Sequence, residues 1–274
     1  MGERPTLARP DNARPRLDFG WWASNGPTGG YLASLALDRE CQETELDATG
    51  VRSVELSVLR LAAADTYVTD VSVAAGPARI ALASVTFNQQ DEPFAQASVY
   101  FSPSVGGSNP DDCRPPGALP PEAYAELASN RLNGPPVMGQ FVYRPTTDPD
   151  GQSPKPGWDL VWVRPVRSMS GRSSVARLVD SWYPPNHTRA VRNYLTGHAE
   201  LAEPPTVSLL RASIVFPAPE DAYRNMNFVL VANQLDIVTN GHYFEQTEVW
   251  SENGDLLIAA RLLRRDRLPD DSYA

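Results

Sequence analysis

Apolar residues recur with two different periods along this chain, and the order of those periods repeats. A helix-like run, Tyr31-Leu32-Ala33-Ser34-Leu35-Ala36-Leu37, follows the lead-in Asn25-Gly26-Pro27-Thr28-Gly29-Gly30. It is apolar nearly all round, as a helix buried on most sides must be. Strand-like segments follow at Val54–Leu59, Tyr67–Val73 and Ala83–Phe87, then the turn Gln90-Asp91-Glu92-Pro93 and a closing strand, Phe94–Phe101. The second half runs through the same sequence of patterns. Its predicted helix is Val175–Trp182, and its strands are Ala212–Phe216, Phe228–Ala232 and Glu245–Trp250. The turn Glu252-Asn253-Gly254-Asp255 leads into the closing strand Leu256–Leu263. Internal repetition of this kind constrains the architecture before any single motif does. It also points to the interface between the repeats as the place for a site.

Between the halves, Ser102–Pro110 and Arg114-Pro115-Pro116-Gly117 have loop composition. A short helix is predicted over Pro121–Leu127, with proline at its start. Gln140–Arg144 and Trp158–Arg164 read as strands. These signals divide the chain into a first unit over 17–104, a linker over 105–139 and a second unit over 140–267. One helix against a run of antiparallel strands is α+β, and strands do not alternate with several helices as a doubly wound sheet requires.

The chain has 274 residues, of which 42% are apolar, enough for a substantial core. A formal net charge of −9 argues against nucleic acid or an anionic membrane as partner. Cys41 and Cys113 form neither a disulfide framework nor a metal cluster. His187, His198 and His242 lie apart, without metal-ligand spacing. No apolar run is long enough to span a bilayer, and the first residues lack the apolar core of a signal peptide. A soluble cytoplasmic protein is the expectation. A Gly-x-Ser-x-Gly elbow is missing, as are a phosphate-cradling loop and a dinucleotide fingerprint.

Several segments carry a resemblance. Gly20-Trp21-Trp22-Ala23-Ser24-Asn25-Gly26-Pro27-Thr28-Gly29-Gly30-Tyr31-Leu32 resembles the Asn-Gly-Gly-Tyr-Leu approach to the first helix of TesB-like acyl-CoA thioesterases, the double hotdog family. Trp162-Val163-Arg164, Leu178–Pro185, Pro205–Leu209 and Trp250–Leu257 resemble that family's markers in the second half. The resemblance extends over roughly residues 17 to 265, and the order and spacing of the motifs carry it. It implies a double hotdog: two curved antiparallel sheets, each wrapped around a central helix. It implies an acyl-CoA or acyl-carrier-protein thioester as substrate, hydrolysed by an activated water where the hotdogs meet. No metal or redox cofactor is implied. The exposed edges of such sheets also allow a homo-oligomer.

Carried over residue by residue, Asp180 matches the family's water-activating acid. An acid within the apolar segment Val175–Trp182 suits a partly desolvated general base. It equally suits a helix cap or a partner for Arg177. Thr206 and Ser208 both fall where the family places a hydroxyl, and both point to one face of a strand. Gly29 and Gly30 open the first helix, where backbone N–H groups could polarise a thioester carbonyl, with Asn25 adding an amide or simply capping the helix. Trp22 and Trp182 are candidates to line the acyl pocket, although such aromatics are also ordinary core.

One position departs from the family. Alignment on Gly254-Asp255-Leu256-Leu257 puts Leu262 where the family has a water-holding Gln. Neighbours Arg261 and Leu263 do not restore the amide, and Gln246 lies on another strand. Three expectations therefore compete: an Asp-dependent thioester hydrolase; a dehydratase, isomerase or cyclase acting on an acyl or polyketide-type intermediate; and a degenerate acyl-binding protein.

Overall fold

Strands built from alternating inward Val, Ala and Leu and outward polar residues dominate the chain. The computed structural model describes residues 15–23, 25–43, 50–103, 115–127, 135–146, 155, 157–182, 206–224, 226–239 and 242–267. In the first half, helix α1 (Gly29–Glu43) precedes β1 (Val51–Val58), β2 (Val68–Ala75), β3 (Ala81–Gln89) and β4 (Glu92–Phe101). In the second, β5 (Phe141–Pro145) and β6 (Asp159–Pro165) precede α2 (Gly171–Ala176). Then come β7 (Thr206–Val215), β8 (Val229–Thr239), β9 (His242–Ser251) and β10 (Leu256–Arg267). The predicted helix at Pro121–Leu127 is only a 3-10 turn over Pro121–Ala123.

All ten strands join one antiparallel sheet in the order β2-β3-β4-β1-β7-β10-β9-β8-β6-β5. The expectation was two curved sheets. Instead the halves fuse edge to edge at β1 and β7, where Leu56 lies opposite Ala212. Pairing these two edges removes a row of open backbone donors and acceptors that each half would otherwise expose. Outward from this seam, β1-β4-β3-β2 on one side mirrors β7-β10-β9-β8 on the other. The repeat read in the sequence is therefore a pseudo-two-fold about the seam. Beyond β8 the second half adds β6 and β5. In the first half the place of β6 is held by a single bridge, Arg16 with Thr66.

One face of the sheet carries the main core. Val54, Leu56, Val85, Val99, Ile214, Val231, Val249 and Leu262 are buried there with α1 and α2. The opposite face of the second half is also apolar. Trp158, Leu160, Trp162, Phe228, Leu230 and Trp250 form a second cluster, against which Ala118 and Tyr124 pack. The Trp162 indole N–H donates to the Leu119 carbonyl at 2.9 Å, tying this covering segment down.

The helix of the second half differs from the expectation. It spans Gly171–Ala176, and the chain then passes through overlapping tight turns rather than continuing to Trp182. Arg177 N–H donates to Ser174, Leu178 to Val175, and Val179 to Ala176. Asp180 follows with φ of 70°. The apolar spacing of Val175, Ala176, Leu178 and Val179 is real, because all four are buried. It reflects enclosure between α1 and the sheet rather than helical periodicity. No helix among the described residues is long and apolar enough to cross a membrane.

Candidate active site

The lead-in to α1 is a compact loop. The Thr28 N–H donates to the Trp21 carbonyl at 3.0 Å, and that of Ala23 to the Gly26 carbonyl at 2.7 Å. Thr28 caps the helix, its Oγ1 accepting from the Tyr31 N–H at 3.3 Å. Asn25 is therefore released from capping. Its Nδ2 crosses the seam and donates to Ser208 Oγ on β7 at 2.8 Å. Two of the candidate residues, 183 positions apart, are thus in direct contact. Thr206 begins β7, and its side chain lies outside the described residues.

Asp180 meets the start of α1, four residues on from Asn25. It is 5% exposed, and its Oδ2 accepts from the Gly29 N–H at 3.2 Å. This bond joins the first turn of α1 to the turn that ends the α2 segment. Gly30 lies against the same turn, too close to the carbonyl oxygens of Ala176 and Val179 to leave room for a side chain. The positive φ of Asp180 is tolerated better by Asp and Asn than by other non-glycine residues.

Asp180 does not pair with Arg177. That guanidinium turns to Ser34 Oγ at 2.7 Å and to Asp38 at 3.7 Å, and lies over the Trp21 ring. The partner is Arg264 of β10, whose Nη2 donates to Asp180 Oδ1 at 2.7 Å. The Arg264 Nε in turn donates to Glu245 Oε2 on β9 at 2.8 Å, and Glu245 Oε1 accepts from Thr247 at 3.5 Å. The Asp180, Arg264 and Glu245 side chains are all 5% exposed or less. Burial pushes the Glu245 carboxyl above its usual range; Arg264 pulls it down, and Asp180 adds to the rise. Breaking such a buried network by removing one member costs about 3–5 kcal/mol.

Sequence reasoning missed Arg264 and Glu245. Leu262 is fully buried, and directly opposite it across the ladder is Glu245. Two residues on, where the β7 pairing shifts between Leu263 and Arg264, the arginine reaches the acid. The available signal was alternation: Glu245 is in phase with Thr247 and Val249, and Arg264 with Ala260 and Leu262. A charge on a buried phase calls for a partner. Gln246 is no substitute for the missing amide, because it faces the other way and bonds Asp236. Arg261 also turns outward to Asp236, at 2.6 Å. Gln89, at the end of β3, is held by the backbone of Ala63 through both its amide atoms, at 2.9 Å each.

The aromatic candidates are separately packed. Trp22 is buried with its ring 5.4 Å from Phe19, and Trp182 with its ring 5.1 Å from Tyr143. The Tyr143 hydroxyl donates to the carbonyl of Ser181, next to Asp180, at 2.8 Å, and burial pushes that hydroxyl upward. A cavity of about 430 Å³ lies on the opposite sheet face, lined by Trp162, Leu230, Trp250 and the prolines at 115–121. None of the Asp180 network lines it, so it is separate from this site. His187, His198 and Cys113 lie outside the described residues. Among the described residues no His, Cys, Asp and Glu group has metal-binding geometry.

Solved structures share this architecture. A hot dog fold protein of unknown function from Alicyclobacillus acidocaldarius superposes with a TM-score of 0.78 at 19% identity, covering 96% of each chain. The acyl-CoA thioesterase II TesB2 from Mycobacterium marinum gives 0.66 at 17% identity, covering 89% of this chain and 90% of that one. The dehydratase domain of PpsC from Mycobacterium tuberculosis, in complex with C12:1-CoA, gives 0.53 at 12% identity, covering 88% and 85%. No protein-family model and no curated protein matches the sequence. At these identities the likeness establishes that the chain has the hot dog fold.

Proposed function

We propose that the chain is a TesB-like double hotdog enzyme that hydrolyses an acyl thioester, with Asp180 as the general base. The observation that carries this reading is the convergence at the seam of Asp180, Gly29, Asn25 and Ser208, from three segments far apart in sequence. Asp180 takes a proton from water as the water oxygen attacks the thioester carbonyl carbon. The carbonyl oxygen gains charge and is met by the Gly30 amide at the positive end of α1. The C–S bond then breaks, and the proton passes from Asp180 to the departing thiolate, leaving a carboxylic acid and a free thiol. Of the two candidate hydroxyls we assign the water-orienting role to Ser208, because Asn25 already fixes its oxygen. Trp22 and Trp182 line the acyl group, and the acyl carrier is coenzyme A or a carrier protein.

A second reading rests on one observation. Leu262 stands buried in the amide position, and the carboxylate is held by a guanidinium. That arrangement suits a carboxylate moving a substrate proton, as in dehydration or isomerisation, without water.

The test is free-thiol release from short, long and aromatic acyl-CoA esters by wild type and Asp180→Asn, with circular dichroism confirming that both fold. Release by wild type and its loss in the variant support hydrolysis. No release from any ester overturns it. Conversion of a hydroxyacyl thioester to the enoyl product without thiol release then establishes the second reading.

A further inference from the structure

Asp180 combines two features that each cost stability: a left-handed backbone and a buried charge. Its charge partner, Arg264, is itself shared with a second buried carboxylate. A lone stabilising ion pair would not need Glu245. Buried ionic networks are weak sources of stability compared with apolar packing of the same volume. Their strength is directional, because a guanidinium is a planar fork that fixes the groups it bonds. Here one edge of the fork holds Asp180 Oδ1 and the Nε holds Glu245, while the Gly29 N–H fixes the other Asp180 oxygen.

We infer that Arg264 and Glu245 are a positioning pair for Asp180: the guanidinium orients the carboxylate, and Glu245 holds the guanidinium. This inference rests on the reading of Asp180 as the site's base, and it assigns the pair no contact with substrate. Among the described residues, the other charged or titratable groups around Asp180 bond other partners. Arg177, on its own turn, faces Ser34 and Asp38. Tyr143 of β5 donates to the Ser181 carbonyl. Helix α1 brings the Gly29 amide, and β7 brings Ser208, bonded to Asn25. Further along the same sheet face are Asn233 of β8 and Asp159 of β6, which pair across the ladder.

In Arg264→Gln, kcat for thiol release falls about 100-fold, the scale of a misplaced catalytic group, while KM stays within about twofold. Glu245→Gln lowers kcat in the same way, and Arg264→Lys, which keeps the charge but not the planar fork, recovers only part of it. The Gly29 amide donates to Asp180 and reports on that bond independently of turnover. In ¹⁵N-labelled protein at one fixed pH its resonance is displaced in Arg264→Gln and Glu245→Gln, and less in Arg264→Lys, while circular dichroism shows the fold retained. A fall in kcat at unchanged KM together with a displaced Gly29 resonance supports the pair. Wild-type kcat, or an unmoved Gly29 resonance, in either glutamine variant overturns it. If Arg264→Gln does not fold, Glu245→Gln decides alone by the same two readouts. A wild type that releases no thiol contradicts the hydrolytic reading and leaves the Gly29 resonance to judge the pair.

Discussion

Gly30 of α1 lies directly against the carbonyl oxygen of Val179, so that a Cβ on Gly30 would sit 2.2 Å from it and 2.4 Å from the carbonyl oxygen of Ala176. Both oxygens are backbone and cannot rotate away. The contact sets the distance between the first turn of α1 and the turn that carries Asp180. Gly30→Ala therefore separates the two segments and stretches the Gly29–Asp180 hydrogen bond, which is already 3.2 Å long. Overpacking of this kind costs about 1–3 kcal/mol. A lower urea midpoint together with loss of thiol release is expected. A variant with the stability and turnover of wild type would show that the contact has no role in the site.

Introducing an amide at position 262 should not raise turnover. Leu262 is fully enclosed in the core and faces Glu245 across the ladder. Glutamine there puts a polar amide into a packed apolar position, at a cost of about 1–3 kcal/mol. Leu262→Gln is therefore expected to lower stability and leave kcat no higher than in wild type. Rates of thiol release and thermal melts on the two proteins check this, and a faster Leu262→Gln enzyme would point to water-holding by that position after all.

The alternation of apolar residues made most strands legible, because period-two burial is what a sheet with one covered face demands. Val85 and Phe87 on β3, and Val249 on β9, all point into the core as expected. The second helix was misread for a related reason. Leu178 and Val179 are apolar because they are enclosed, and enclosure between α1 and the sheet does not require a helix. The Gly30 contact and the left-handed Asp180 are tertiary facts with no local signature. Asp180 and the Asn25–Gly30 loop were singled out through resemblance, and the structure brings them together. Arg264 lies on the buried phase of Ala260 and Leu262, but the partner that makes an arginine tolerable there comes from the distant Asp180 turn, which no local pattern places.

The Asn25–Ser208 hydrogen bond is the polar link across the seam that a double-mutant cycle measures directly. Asn25→Ala and Ser208→Ala each remove the same bond of 2.8 Å. A bond of this sort contributes about 0.5–1.5 kcal/mol net. The double variant should lose less than the sum of the singles by about that amount, in unfolding free energy. Turnover should fall in both singles, with little further loss in the double. Strictly additive effects would mean that the two side chains act separately.

Glu245 gives the protein a characteristic dependence of stability on pH. Burial penalises its charged form more than Arg264 relieves it, and Asp180 adds to the penalty, so its carboxyl titrates above the ordinary value of 4.5. Within the window from 4.5 up to that raised value, the native state holds a proton that the unfolded chain has lost. Unfolding free energy therefore falls as pH rises through the window. The contribution is complete below 4.5 and gone above the folded value. Glu245→Gln has no proton to release at this position, so its urea midpoint should decline less than that of wild type as pH is raised from about 4 to about 8, a span that brackets the ordinary carboxyl range. The difference between the two curves isolates the residue from every other titrating group. It should grow in favour of the variant with rising pH, and a difference that shrinks or stays flat would mean that Arg264 fully compensates the burial of Glu245.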